Sequence, residues 1–234
     1  MRHNKAHPAI IPICIVLGTI LLLFVVPQTR DLVAGFFKGA FGGRNNFNFF
    51  STLSRFSILL GMAMSVLMSF RAGLLNIGAE GQLVLGGLSA ALVGVYFPGS
   101  GVVVAIFAAF AGMSAGAALA VLAGFLERAA KLPLLIGTLL LNYPAVYFAS
   151  YCVSHPFRDV ASGATQSHRI FADARLPRFP GTLLDYGILI ITTVAVVLIL
   201  LDRISVFGYR TRMQGYSIGF ARASGFPTRR LYYQ

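Results

Sequence analysis

The chain has 234 residues, of which 57% are hydrophobic and 11% are charged, and its formal net charge at pH 7 is +12. A soluble domain of this length would have roughly a quarter of its residues charged, so the composition excludes an ordinary soluble fold. The positive charges are scattered across loops, whereas a basic patch that grips RNA would be exposed and interleaved with aromatic residues, so no nucleic acid is needed to explain the net charge. We therefore expect an all-α, polytopic membrane protein with a single transmembrane domain over residues 1–234.

Six apolar segments are long enough to cross a hydrocarbon core of about 30 Å, which takes about 20 helical residues. The first follows Arg2 and Lys5, and the lack of a small-residue cleavage site after it favours an uncleaved span over a signal peptide. Lysine and arginine residues favour the loops on the side of the N-terminus, which predicts a cytoplasmic N-terminus. The predicted spans cover residues 9–26, 52–70, 80–97, 102–126, 134–153 and 183–201.

Residues 31–50, between the first two spans, are rich in phenylalanine and glycine. The aromatic rings predict a position at the membrane interface, and the glycines disfavour a long helix there. Spans three and four carry small residues at a four-residue spacing, which predicts helices that pack closely. These small residues are Gly86, Ala90 and Gly94 in span three, and Gly112, Gly116, Ala120 and Gly124 in span four.

The stretch from Phe70 to Gln82 sets charged and amide side chains among glycines, between two apolar runs. Ionisable groups at membrane depth are rare and usually face a protein interior or a water-filled path. Non-helical backbone is tolerated there only where it is buried or lines a cavity. The stretch therefore predicts a broken helix at about 73–82 that serves a solute path, with Glu80 as the one carboxylate in a buried membrane context. The candidate site residues are Asn76, Gly78, Glu80, Gly81 and Gln82.

Two later segments are more polar than the spans. Residues 154–182 contain prolines, arginines and two histidines without metal-ligand spacing, and they predict an outer-face loop that could meet a soluble partner. Residues 204–230 are basic and punctuated by glycines, and they predict a short helix at about 216–224, closed by Gly225 and Pro227. From composition alone, an amphipathic cytoplasmic loop whose apolar residues could rest on the membrane or on a protein is the alternative for this last segment.

The motifs of common enzymes are missing from the sequence. The chain has no phosphate-binding loop, no Cys-x-x-Cys pair and no common hydrolase motif. With 7 carboxylates in total, paired-acid catalysis inside the membrane is not supported. Cys14 and Cys152 lie in or beside apolar spans and are interpreted as inert thiols. We therefore expect no catalytic residue, no metal site, no cofactor and no enzyme activity in this chain.

Three motifs follow one another along the chain. The first is Gly73-Leu-Leu-Asn76-Ile-Gly78-Ala-Glu80-Gly81-Gln82-Leu, the second is Leu140-Leu141-Asn142-Tyr143, and the third is Gly208-Tyr-Arg210-x-Arg212-x-x-Gly215 with Ala221-x-x-x-Gly225. In this order they resemble the inner-membrane permease subunits of bacterial ABC importers. The resemblance is to the branch that serves nucleosides and ribose-type sugars, linked to basic-membrane-protein receptors. It covers the chain from about residue 50 to its end.

The resemblance implies a permease that translocates a small polar solute, such as a nucleoside, nucleobase or ribose-like sugar, by alternating access. Its partners would be a cytoplasmic ATP-binding subunit, a second permease subunit, an extracytoplasmic solute-binding protein and the lipid of the inner membrane. The broken helix would lie beside the translocation path, where Glu80 either contacts substrate or braces the break, and Asn142 and Tyr143 would face inward. The third motif would present a coupling helix to the ATPase, through Gly208, Arg210, Arg212, Gly215, Ala221 and Gly225.

Departures from the family pattern leave several questions open. Relatives often have Asn-Glu-Val where this chain has Leu132-Pro133-Leu134, so the sequence does not define the solute. The family continues for several helices beyond the third motif, so we expect the chain to be truncated relative to it. A truncated gene product, a split subunit and a partial sequence are all open, as is a homodimeric or heterodimeric permease pair. The alternatives in function are a secondary transporter or channel without an ATPase, and a non-functional truncated permease.

Overall fold

The computed structural model describes residues 13, 16–18, 20, 21, 29–42, 46–182 and 184–226. Within these residues the backbone is mainly helical, and extended pairing is limited to two isolated bridges, Arg158 with Ser167 and Arg178 with Asp185. The expected all-α fold is confirmed. The helices with described bounds are α1 (Thr29–Phe41), α2 (Phe47–Arg71), α3 (Ala79–Tyr96), α4 (Gly101–Ala130), α5 (Leu134–Ser154), α6 (Gly187–Ile204), α7 (Val206–Tyr216) and α8 (Ile218–Ala223).

Five of these helices, α2 to α6, are long and apolar enough to cross a membrane. They match the last five predicted spans, with ends that differ by a few residues. The prediction succeeds because length and apolar composition, which a spanning helix requires, are local properties of the sequence. The first predicted span, 9–26, lies largely outside the described residues, and so does Cys14.

The segment rich in phenylalanine and glycine contains a helix of 13 residues, α1, although its glycines were expected to disfavour a long one. Gly35 and Gly39 have open space around them, so no steric conflict arises at either position. Phenylalanine rings line up along the helix, with Phe37 stacked on Phe41 at 6.3 Å between ring centres. These contacts offset the low helix propensity of glycine.

The chain divides into two compact units: residues 1–54 with 179–184, and residues 55–178 with 185–234. In the larger unit, α3 packs along both α4 and α5. A Cβ atom built on Gly86 would lie 2.9 Å from the Gly112 carbonyl oxygen, so the backbones of α3 and α4 approach closely. The predicted groove of small residues is therefore confirmed at this pair.

The connection between α5 and α6 contains two 3-10 turns, Val160–Ser162 and Ala172–Ala174. The first is capped by Asp159, whose Oδ1 accepts a hydrogen bond from the Ala161 N–H at 3.1 Å. Ile170 contacts Gly94 of α3, since a Cβ atom built on that glycine would lie 3.0 Å from Ile170 Cγ2. Gly94 thus accommodates a loop side chain rather than another helix. Among the residues described, no group of three or more potential metal ligands occurs.

Candidate functional site

The helical backbone is interrupted between α2 and α3, over residues 72–78, a segment we call the break. Gly73 has a φ of +77°, a left-handed conformation that glycine adopts without the steric penalty of a side chain. The observed break is shorter than the predicted one at 73–82. The break ends at residue 78, and α3 begins at Ala79. Glu80, Gly81 and Gln82, which were predicted to lie in the break, therefore lie in the first turn of that helix.

One amide side chain of α5 holds both sides of the break. Asn142 Oδ1 accepts a hydrogen bond from the Gly81 N–H at 3.0 Å, and Asn142 Nδ2 donates to the Ile77 carbonyl at 3.1 Å. The first N–H groups of a helix have no partner within that helix, so Asn142 supplies an acceptor that the Gly81 N–H would otherwise lack. Asn142 is 7% exposed, which keeps these bonds away from solvent. The structure therefore brings Asn142 and the break together.

Thr138 makes a further contact that the sequence analysis missed. The Ile77 N–H donates to Thr138 Oγ1 at 3.2 Å, and this hydroxyl donates to the Leu135 carbonyl at 3.1 Å. Threonine is too common in spans to stand out, but its position four residues before Asn142 places it on the same face of α5. Its side chain is buried beside the break.

Close approach explains why glycines occupy two positions near these contacts. A Cβ atom built on Gly81 would lie 2.8 Å from Asn142 Oδ1, and one built on Gly78 would lie 3.1 Å from Thr138 Cβ. The Gly78 N–H also donates to Asn76 Oδ1 at 2.8 Å, a local turn within the break. Larger residues at Gly78 or Gly81 would force α3 away from α5.

The remaining candidates of the first two motifs differ in placement. Gln82 is half-buried, and its N–H donates to the Gly78 carbonyl at 3.1 Å. Glu80 is exposed and has no hydrogen bond or ion pair with any described residue. Tyr143 is 62% exposed and, unlike Asn142, makes no hydrogen bond to the described residues of the break. Successive residues of a helix point about 100° apart, so both could not face the break.

A cavity of about 570 Å³ lies beside the break in the larger unit. Its walls come from α2, α4 and α6, and Phe207 and Thr211 of α7 also line it. Among the described residues that line it, the polar side chains are Ser65, Ser69, Asn76 and Thr211, and none is charged. A solute in this cavity would meet hydroxyl and amide groups in an otherwise apolar surface.

A second cluster, which we call the junction, joins Arg71, Asp202 and Arg212. Asp202 Oδ2 lies 2.6 Å from Arg71 Nη1 and 3.2 Å from Arg212 Nη1. Arg212 also donates to the backbone carbonyl of Asp202. The expectation that Glu80 is the one carboxylate in a buried membrane context is therefore wrong, since Asp202 is 4% exposed in α6. Sequence analysis missed it because the predicted span ends at residue 201.

Two glycines of the third motif pack backbone against backbone at the junction. A Cβ atom built on Gly208 would clash with the backbone of Asp202. One built on Gly215 would clash with the Arg71 carbonyl and would lie 3.0 Å from the Gly73 nitrogen. Helix α7 therefore contacts both the end of α6 and the start of the break.

The third motif forms two helices instead of the single predicted helix at 216–224. Serine hydroxyls cap both: Ser205 Oγ accepts from the Gly208 N–H, and Ser217 Oγ accepts from the Phe220 N–H. Gly225 has a φ of +75° and closes α8, and the Phe226 N–H donates to the Ala221 carbonyl at 3.0 Å. This is the pattern of a Schellman motif. The predicted closure by Gly225 is confirmed, and Pro227 lies outside the described residues.

Arg210 and Ala221 lie within this helix pair. The Arg210 guanidinium is 5.8 Å from the ring centre of Phe226, a cation–π arrangement. Ala221 is fully buried. The third motif thus separates into residues at the junction (Gly208, Arg212 and Gly215) and residues away from it, in or directly after α7 and α8 (Arg210, Ala221 and Gly225).

Residues 48–234 match the family model described as the permease component of branched-chain amino acid transport systems. The chain is 29% identical over 178 residues to the guanosine ABC transporter permease protein NupP of Bacillus subtilis, an alignment that covers 74% of this chain and 50% of the relative. It is 35% identical over 124 residues to the glucose ABC transporter permease protein TsgB13 of Haloferax volcanii, covering 53% and 32% respectively. The chain spans half or less of the length of these relatives, and no solved structure matches it. Because the family model matches well over half of the chain, the chain belongs to this family of transport-system permeases.

Proposed function

We propose that this chain is a membrane permease subunit of an ATP-driven importer and that it moves a small uncharged solute, such as a nucleoside, nucleobase or ribose-like sugar. Family membership supports the permease role, and the names of the two relatives, for guanosine and glucose, support the solute class. ATP hydrolysis would belong to a separate cytoplasmic subunit. A second permease subunit and an extracytoplasmic solute-binding protein would complete the assembly in the inner membrane, with the N-terminus of this chain in the cytoplasm.

The observation that carries the proposal is the cavity beside the break. It is lined by Ala72, Leu74 and Asn76 of the break, the non-helical segment that joins the apolar helices α2 and α3, and such backbone is tolerated where it lines a cavity. Asn76 Oδ1 already accepts a hydrogen bond from the Gly78 N–H, which leaves its Nδ2 group to donate to a solute. Ser65 and Ser69 line the same cavity from α2. A polar solute could therefore exchange hydrogen bonds with the wall as it passes.

The uncharged lining bears on the choice of solute, because the family description names branched-chain amino acids. An amino acid carries an ammonium and a carboxylate group at neutral pH. Transfer of unpaired charges from water to an apolar environment is far more costly than transfer of hydroxyl or amide groups. Nucleosides and sugars carry neutral donors and acceptors that serine and asparagine can match. The cavity therefore favours these solutes over amino acids.

Helices α7 and α8 supply the proposed contact with the ATP-binding subunit. They follow the last described span and carry Arg210, Arg212 and Arg222, which is consistent with a cytoplasmic position. Phe207 and Thr211 of α7 line the cavity, so a displacement of α7 would change the shape of the solute site directly. Alternating access would then follow from nucleotide-driven movement of these helices.

Uptake by host cells with and without the gene tests the solute class, with radiolabelled guanosine, glucose and leucine as probes. We expect the deletion strain to lose guanosine or glucose uptake and the wild-type gene to restore it, while leucine uptake is unchanged. Loss of leucine uptake alone would contradict the proposed solute class.

The energy source and the partners are tested separately. Depletion of ATP at a maintained proton gradient should stop uptake, whereas continued uptake would favour a secondary transporter or channel. Affinity purification of the tagged chain from detergent-solubilised membranes should recover an ATP-binding subunit and a second permease. Recovery of the intact chain without any ATP-binding subunit would argue against the assembly.

A further inference from the structure

We infer that Asp202 is the positioning residue that transmits movement of α7 to the break, through its ion pairs with Arg212 and Arg71. The inference deepens the proposed function and rests on it, since it requires a nucleotide-binding partner that moves α7. The buried carboxylate of Asp202 would then link α7 to the break, which forms part of the wall of the solute path.

The position of Asp202 is unfavourable unless its charge has a partner. It lies in the last turn of α6, where the helix dipole disfavours a negative charge, and it is almost fully buried. Two guanidinium groups offset this cost, and both lie within 3.2 Å of the same oxygen, Oδ2. Arg212 also binds the Asp202 backbone carbonyl, so it holds the end of α6 at two points.

The two arginines come from the two segments that coupled transport has to connect. Arg71 is the last residue of α2 and directly precedes the break. Arg212 lies in α7, the helix that is proposed to meet the ATP-binding subunit. One carboxylate therefore joins residues that are 131 and 10 positions away in sequence. When α7 moves, the shared ion pair either carries Arg71 with it or breaks.

A backbone contact beside the ion pairs supports the same connection. A Cβ atom built on Gly73 would lie 3.0 Å from Gly215 Cα, so the start of the break and the end of α7 touch without intervening side chains. Tightly packed contacts of this kind transmit displacement, because no flexible side chain can absorb it. The contacts thus run without a gap from α7, through Asp202 and Gly215, to residues 71–76 and the cavity wall.

Reporter cysteines at two exposed positions test the inference in the full-length protein, purified in detergent with its partner subunits. Leu75→Cys reports on the break and Tyr216→Cys reports on α7, each in a background with Cys14 and Cys152 replaced by alanine. The rate of maleimide labelling is measured without nucleotide and with ATP plus vanadate. In the parent we expect the labelling rate to depend on nucleotide at both positions. With Asp202→Asn, the labelling rates with and without nucleotide should become equal at position 75. At position 216, the ratio of these two rates should remain as in the parent.

Each other outcome has a definite meaning. Nucleotide dependence that survives at both positions in Asp202→Asn overturns the inference. The same holds if the parent responds at position 216 but not at position 75. If neither position responds in the parent, the proposed function fails, and the inference fails with it.

Three further variants separate transmission from simple folding. Arg71→Gln leaves the Asp202–Arg212 pair in place and should also abolish the response at position 75. Asp202→Glu keeps the charge and should preserve the response at both positions. Arg203→Gln removes a neighbouring exposed charge that makes no ion pair with a described residue, and should change neither response. If Asp202→Asn fails to assemble, Arg71→Gln alone decides the matter, since Arg71 keeps access to solvent.

Discussion

The break and the junction are both held by side chains from other helices, but the two use different chemistry. At the break, Asn142 and Thr138 of α5 satisfy backbone N–H and carbonyl groups through neutral hydrogen bonds. At the junction, one carboxylate holds two guanidinium groups. Both bracing residues of α5 are buried, whereas the side chains of Arg71 and Arg212 are 39% and 25% exposed.

The difference shows where charge is tolerated in this protein. Removing an amide or hydroxyl from water costs little once it is hydrogen-bonded, while a buried ion pair keeps a large desolvation cost. At the junction, Arg71 and Asp202 accordingly lie where α2 and α6 end, and both arginines keep contact with solvent. Asn142 uses both its oxygen and its nitrogen, but the buried Oδ1 of Asp202 has no hydrogen-bond partner among the described residues. The hydrogen-bonding groups at the break are thus more completely satisfied than those at the junction.

Replacing Asn142 by leucine removes the neutral hydrogen bonds at the break and should have the largest effect on stability. The variant leaves the Gly81 N–H and the Ile77 carbonyl without their partner. Each buried unpaired group costs about 1–3 kcal/mol, so we expect a loss of about 3 kcal/mol. Thermal unfolding in detergent and hydrogen exchange at the Gly81 amide measure it. The control Tyr143→Leu, at an exposed neighbour, should stay within about 0.5 kcal/mol of the parent. Equal stability of both variants would show that α5 does not hold the break.

Gly215→Ala should disrupt the backbone contact at the junction and should reduce stability by less than the Asn142 variant does. The new Cβ atom would clash with the Arg71 carbonyl, and overpacking of this kind costs about 1–3 kcal/mol. Gly219→Ala is the matched control, because the nearest heavy atom, Ser217 Oγ, lies 3.9 Å from the added Cβ atom. That control should be neutral or stabilising by up to about 1 kcal/mol. Unfolding midpoints of the pair decide the matter, and similar values would argue against close contact between α7 and the break.

Gly225→Ala tests a position whose preference for glycine depends on backbone conformation alone, in contrast to the close contacts at the break and the junction. No atom lies within 4 Å of an added Cβ atom, but the φ of +75° penalises a side chain by about 1 kcal/mol. Gly225→Asn should cost less, since asparagine tolerates this conformation better than alanine. Unfolding midpoints of the two variants measure the difference. An equal loss in both would point to steric contact instead.

Glu80→Gln should have the smallest effect on stability and separates the two interpretations of this carboxylate. Glu80 is exposed and has no partner among the described residues, so the free energy of unfolding should change by less than about 0.5 kcal/mol. If Glu80 contacts the solute, uptake by cells should fall while stability stays the same. A lower unfolding midpoint with normal uptake would instead support a bracing role.

Sequence analysis located the parts of the candidate site that have a local signature. Asn142 stands out as an amide in an apolar span, and the glycines at positions 73, 78 and 81 indicate an interrupted helix. Helix α7 has no such signature, because its composition is mixed and its two glycines lower helix propensity. It is stabilised by contacts with α6 and the break, which are not visible in a window of neighbouring residues.

The sequence by itself determined the class of the protein, five of its spans and the approximate place of the break, because apolar length and helix-breaking residues act locally. Only the tertiary structure decided which side chains hold the break and the junction. Thr138 and Asp202 are ordinary residues at a span interior and a span end, and their significance comes from partners far along the chain. Hydrogen bonds and ion pairs form between groups that packing brings within about 3 Å, a condition that sequence distance does not encode.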